Sequence, residues 1–146
     1  EILSGLVGSE MCIRDRSLSD EPTATASYLQ SRLGATDLAI WDARSAEEYR
    51  GEKVQAARGG HIPGAINFEW TAGMDPARGL RIRQDIAALL EQRGLSADKE
   101  IITHCQSHRR SGFTYLVAKA LGYPRVKAYA GSWGEWGNLT DTPVER

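Results

Sequence analysis

Cys105 opens the run Cys105-Gln106-Ser107-His108-Arg109-Arg110, which gathers a nucleophile, a hydroxyl, an imidazole and two guanidiniums. The residues before it, Glu100-Ile101-Ile102-Thr103-His104, read as a buried strand, and residues 111–121 read as a helix closed by Gly122. The cysteine is thus expected at the carboxyl end of a strand, in a six-residue turn leading into a helix. Three influences there favour thiolate over thiol. The helix N-terminus is partly positive, loop N–H groups can turn inward as an anion cradle, and Arg109 and Arg110 add full charges. Together they would bring the thiol from about 8.5 toward the neutral range. An inert buried cysteine sits among apolar neighbours. A polar, cationic turn is costly in such a place unless something anionic binds it.

A thiolate in an anion cradle can attack phosphorus, arsenic or sulfur. Cysteine phosphatases need an arginine at the position held here by Ser111, whereas Arg110 arrives one residue early. The shorter loop makes a tighter cradle, better suited to one terminal sulfur atom than to a tetrahedral phosphate.

The elements that must position this turn alternate along the chain. A helix is expected over residues 19–33, with Ser19 or Asp20 as cap, Pro22 in the first turn and Gly34 as stop. Leu38-Ala39-Ile40-Trp41 reads as a buried strand ending in Asp42. Ser45 to Tyr49 carries a capping box, Ser45 with Glu48, and Gly51 ends that helix. Residues 52–60 are a polar loop, His61-Pro63-Gly64 a turn, and Ala65 to Phe68 a strand. An amphipathic helix is expected from Ile82 to Leu90, with Ile86 and Leu89 on one face, ending near Gly94. Val126 to Tyr129 forms the last strand, followed by an aromatic segment, with Trp133 and Trp136 as core packing, and a frayed tail. Helices alternating with short apolar strands argue for one α/β domain, with a mainly parallel central sheet and helices on both faces.

Composition agrees with one soluble globular domain. The 146 residues are 41% hydrophobic and 25% charged, with a formal net charge of -1. That balance gives no pull toward nucleic acid or anionic lipid, and no apolar run is long enough for a membrane span. The N-terminus makes a poor signal peptide. Two cysteines, Cys12 and Cys105, cannot build a disulfide framework, which favours a reducing, cytoplasmic setting. Glu10-Met11-Cys12-Ile13-Arg14-Asp15 resembles the translation of a transposase sequencing adapter. Residues 1–18 are therefore expected to be a non-native or disordered tail, and residues 19–146 the catalytic domain. No His/Cys cluster has metal spacing and no glycine-rich phosphate loop follows the first strand, so no metal and no cofactor is expected.

Four ordered segments resemble the rhodanese family. HCQSHRRSG (104–112) is similar to its active-site loop, DARSAEEYRG (42–51) and GHIPGAIN (60–67) to two further signatures, and GSWGEWGN (131–138) to a C-terminal one. The resemblance covers residues 30–144 and looks most like the catalytic C-terminal half of tandem-domain bacterial members that use thiosulfate and cyanide. It implies a ping-pong sulfurtransferase in which Cys105 carries a persulfide, with a small-molecule sulfur donor and a thiophilic acceptor as partners. The glycine-rich loop of members that prefer mercaptopyruvate is absent. In that reading Gln106, Ser107, His108, Arg109 and Arg110 bind substrate. Arg110, with Arg109, orients the sulfonate end of the donor. Asp42 and Arg44 support the site, orienting the turn more than pairing with the loop arginines, and Trp70 walls its mouth. Glu47 and Glu48 are expected on a solvated helix face. The tandem members' N-terminal half has no counterpart here, so the chain is either a lone domain or part of a longer frame with an unpartnered apolar face. Two alternatives remain: a non-catalytic rhodanese-like binding or regulatory module, and a cysteine phosphatase or arsenate reductase.

Overall fold

A computed structural model describes residues 21–146, and the expected tail, Cys12, Ser19 and Asp20 lie outside them. Four parallel strands form the central sheet: β1 (Leu38–Asp42), β2 (Ile66–Asn67), β5 (Glu100–His104) and β6 (Val126–Ala128), in the order β2-β1-β5-β6. A two-stranded antiparallel ribbon, β3 (Met74–Asp75) and β4 (Arg81–Ile82), stands apart from it. β1 and β5 lie side by side in full register, from Leu38 opposite Glu100 to Asp42 opposite His104.

Side-chain alternation along these strands feeds two cores, one on each face. Ala39, Trp41 and Ile101 point to one face, with Ile86 and Leu90 of α3 (Ile86–Gln92) and Val117 and Ala118 of α4 (Arg109–Ala120). Ile40 and Ile102 point to the other, with Leu29 of α1 (Ala26–Arg32) and Trp133 and Trp136 of α5 (Ser132–Trp136). Tyr49 of α2 (Ala46–Tyr49) packs against the second core. The α/β domain with helices on both faces is thus as expected, and both tryptophans are core. Each large apolar side chain buried this way contributes about 1.5–3 kcal/mol.

The structure corrects several boundaries. The first helix starts at Ala26, capped by Thr25, because Pro22 and Ala24 are committed to strand-like pairing with Ala128. Ile82 belongs to β4 and not to a helix, since it pairs with Met74, and α3 begins at Ile86. The aromatic segment after β6 is a helix. The tail beyond it is tethered, not frayed: His61 and Glu145 exchange backbone hydrogen bonds at 2.8 and 2.9 Å, and the Arg58 guanidinium takes carbonyls of Trp136, Leu139 and Thr142. Gly60 permits that closure. Its φ is +120°, and a Cβ there would fall 2.1 Å from the Glu145 carbonyl oxygen. The 61–64 turn forms as expected, with His61 stacked on Tyr49 at 3.7 Å. Large apolar side chains that stay exposed are Val54, Leu80, Ile82 and Leu116.

Candidate active site at the end of strand β5

From β1 the chain runs to β2 on one side, and from β5 to β6 on the other, so the carboxyl ends of β1 and β5 border the point where the winding reverses. Ligands of open α/β sheets bind in that crevice. Cys105 follows β5 immediately and is buried. The turn after it is shorter than six residues. His108 takes the N-cap position with φ +62°, and α4 begins at Arg109, so both arginines lie in the helix's first turn. That turn has free N–H groups to offer an anion.

Burial pushes the Cys105 thiol up, but hydrogen bonds oppose it: the Ser111 hydroxyl and the amides of Ser111, Ser107 and Arg110. Their sum holds the thiol below its ordinary value. The Arg110 guanidinium also reaches the sulfur. Arg110 in turn grips Glu48, Nη1 to Oε2 at 2.6 Å and Nη2 to Oε1 at 2.9 Å. The solvated face expected for Glu48 is therefore corrected. Glu48 is buried because its carboxylate accepts from Arg110 and from the Ser45 amide of the capping box. Burial pushes this carboxyl up; Arg110 and the Ser45 amide outweigh that and hold it at about 2. Glu47 is exposed on the helix surface, as expected.

The back of the loop is fixed by α5. Trp133 N–H donates to the Cys105 carbonyl at 2.9 Å and Gly134 N–H to the Gln106 carbonyl at 2.8 Å. The Cys105 amide donates to Ser132 Oγ at 3.3 Å. A Cβ on Gly134 would sit 2.9 Å from the Gln106 oxygen, so only glycine lets the two backbones approach. Gln106 donates from Nε2 to the Gln55 carbonyl. Ser107 and Arg109 are exposed, while His108 is half-buried with Nδ1 2.7 Å from Ser111 Oγ.

Asp42 and Arg44 do not reach the loop arginines. They pair with each other, Nη2 to Oδ2 at 2.6 Å, both essentially inaccessible to solvent. Arg44 also donates to the Gly60 carbonyl at 2.8 Å and lies over the Trp133 ring at 4.5 Å. This places the pair under α5, the element that anchors the loop. His104 is buried beside them. Its Nδ1 faces the Cys105 carbonyl at 3.2 Å, while Nε2 has no hydrogen-bond partner, 3.6 Å from Asp42 Oδ2. Burial holds this imidazole below its ordinary value, against the pull of Asp42. Trp70 is half-buried in a 3₁₀ turn (Trp70–Gly73), edge-on to Phe113 of α4 at 6.1 Å. Of the 105–110 run, the Ser107 and Arg110 amides and the Arg110 guanidinium lie at the sulfur, together with Ser111. The Gln106 and His108 side chains bond elsewhere, and Asp42 and Arg44 pair with each other under α5.

Sequence reasoning missed Glu48 and Ser111. Glu48 was visible only in its local capping role. Ser111 counted only as the position where a phosphatase arginine was lacking. A cavity of about 440 Å³ lies at the opposite ends of the strands, lined by Glu100, Lys119, Arg125 and Lys127, away from the cysteine. Among the described residues no group of three or more His, Cys, Asp or Glu side chains forms a metal site.

A family model described as rhodanese-like domain matches residues 25–139. A thiosulfate sulfurtransferase of Azotobacter vinelandii is 76% identical over 129 residues, covering 88% of this chain and 48% of that protein. One of Pseudomonas aeruginosa is 76% identical over 128 residues, with 88% and 47% covered. A sulfur carrier protein of Thermus thermophilus is 41% identical over 117 residues, with 74% and 41% covered. The chain spans about half the length of the curated relatives it matches. Among solved structures, an anaerobic ergothioneine biosynthesis enzyme of Chlorobium limicola matches with TM-score 0.77 and 27% identity, over 86% of this chain and 32% of that one. A variant of an ergothioneine-bound enzyme carrying a cysteine persulfide matches with TM-score 0.77 and 26% identity, over 86% of this chain and 32% of that one.

Proposed function

Because the chain belongs to the rhodanese-like domain family, we propose that it is a thiosulfate sulfurtransferase working through a Cys105 persulfide. The observation that carries this reading is the Cys105 sulfur, buried yet ringed by loop amides, a hydroxyl and a guanidinium that favour its anion. The thiolate attacks the outer sulfur of thiosulfate. A new S–S bond forms at Cys105, the S–S bond of thiosulfate breaks, and its electron pair leaves with sulfite. A thiophilic acceptor such as cyanide then attacks the terminal sulfur, and the pair returns to Cys105 as thiolate. The amides that favour the thiolate would also stabilise charge on the persulfide's terminal sulfur.

Roles follow from placement. Arg110, tethered by Glu48, supplies charge beside the sulfur. Exposed Arg109 engages no carboxylate among the described residues and takes the sulfonate of the donor. Gln106 and Ser107 shape the loop, His108 acts at the Ser111 hydroxyl, Asp42 and Arg44 fix the floor, and Trp70 walls the mouth. A persulfide carrier suits a reducing, cytoplasmic setting. A second rhodanese domain as partner is the reading under which the relatives would be about twice as long as the matched segment. The phosphatase and regulatory-module alternatives are not favoured, since Ser111 stands where a phosphatase arginine belongs and Cys105 keeps its activating contacts.

Incubation with thiosulfate and cyanide, with thiocyanate as readout, tests the reading. Wild type is expected to form thiocyanate and Cys105→Ala none; thiocyanate formation surviving the substitution sinks the proposal.

A further inference from the structure

Two groups compete for the Ser111 hydroxyl. His108 Nδ1 lies 2.7 Å from Ser111 Oγ, and the same hydroxyl interacts with the Cys105 sulfur. A hydroxyl has one proton to give. Given to His108, it leaves an oxygen lone pair facing the sulfur. When His108 donates from Nδ1 instead, the proton is free to point at the sulfur.

The backbone explains why a histidine stands there. The N-cap φ of +62° lies in the left-handed region, which costs a non-glycine residue on the order of 1 kcal/mol. The usual caps, Ser, Thr, Asp and Asn, fold an oxygen back onto an amide of the first helical turn. His108 makes no such bond. The amides of Arg110 and Ser111 are therefore left to the Cys105 sulfur, and the imidazole takes the Ser111 hydroxyl.

We propose that His108 is a positioning residue whose Nδ1–H holds Ser111 Oγ, so that the Ser111 O–H donates to the sulfur of Cys105 as thiolate and as persulfide. Ser111, which touches the reacting sulfur, is the catalytic member of the pair. The persulfide half of this inference rests on the sulfurtransferase reading; the thiolate half does not. Among the described residues no charged group acts on the imidazole beside its burial; Arg109 and Arg110 follow it in the chain, Arg110 turned to Glu48, and the Cys105 sulfur lies beyond Ser111. Burial holds the ring below its ordinary value, so near neutral pH it is the neutral imidazole, whose one proton the proposal assigns to Nδ1.

The test is the pH profile of alkylation by iodoacetamide, followed at the Cys105 peptide by mass spectrometry, which separates it from Cys12. Wild type, H108G, S111A and the double variant are compared, with near-UV circular dichroism of the buried tryptophans as the check on folding. Glycine keeps the left-handed backbone and removes only the imidazole. S111A is expected to move the midpoint upward by about one pH unit. H108G moves it the same way by less, and the double variant no further than S111A alone. A wild-type midpoint in H108G, or shifts that add in the double variant, overturns the pairing. The readout needs only the thiol. A failure to make thiocyanate therefore bears on the sulfurtransferase reading and not on this one.

Discussion

Arg110 grips Glu48 with two guanidinium nitrogens, at 2.6 and 2.9 Å, while the same guanidinium borders the Cys105 sulfur. The charge beside the thiol is thus tethered by a carboxylate on the short helix after β1. That helix reaches the site through one side chain.

Glu48 is held at about 2 against an ordinary 4.5. Its folded value is depressed, so the contribution is fully present above pH 4.5 and is lost as the pH falls toward 2. The upper bound is about 3 kcal/mol. Urea unfolding followed from about pH 6 down to about pH 3 is expected to show stability falling over this window. Arg110→Ala should flatten that slope and cost about 2–3 kcal/mol at neutral pH, less than a fully buried pair because Arg110 is partly solvated. An unchanged acid slope in the variant contradicts the pairing.

Arg109 is exposed and pairs with no carboxylate among the described residues. Arg109→Ala is expected to raise KM for thiosulfate about tenfold, with a smaller effect on kcat, because an exposed charge contributes mainly to holding the anion. The KM of the wild type should also rise with salt more steeply than that of the variant. Steady-state kinetics at two ionic strengths decide this.

Asp42→Asn removes the only carboxylate within 4 Å of the buried Arg44 among the described residues. The loss expected is about 3–5 kcal/mol, the range for a buried charge left without its partner. It should appear as a lowered thermal midpoint or as insoluble expression. A variant as stable as wild type would show that Gly60 and Trp133 suffice to hold Arg44.

Gly134→Ala would put a methyl 2.9 Å from the Gln106 carbonyl oxygen. The backbone has to give on one side, at a cost of about 1–3 kcal/mol. Since that carbonyl belongs to the loop beside Cys105, activity should fall further than stability does. Comparing thiocyanate formation with the urea midpoint separates the two effects.

Much of the fold was legible because it depends on local rules. The apolar runs at Leu38–Trp41 and Glu100–His104 can only be buried strands, and Ser45 with Glu48 announces its own capping box. The errors came where distant backbone competes for a segment. Pro22 and Ala24 are taken by Ala128, Ile82 by Met74, and the tail by His61.

The chain order alone determined that a cysteine would stand at the end of a strand, before a turn carrying two arginines and then a helix, and which chemistry that invites. Spacing along the chain decides which groups can share one turn, and the 105–110 run needs nothing more. Tertiary structure decided the division of labour between the arginines. Arg110 is paired because α2, far back in sequence, lies across the crevice, and no carboxylate among the described residues packs against Arg109. It also decided that Ser111, which the sequence offered only as a missing arginine, would meet the sulfur. Such contacts depend on where two separate segments stop relative to one another. The packing of β1 against β5 sets that distance, and no local pattern encodes it.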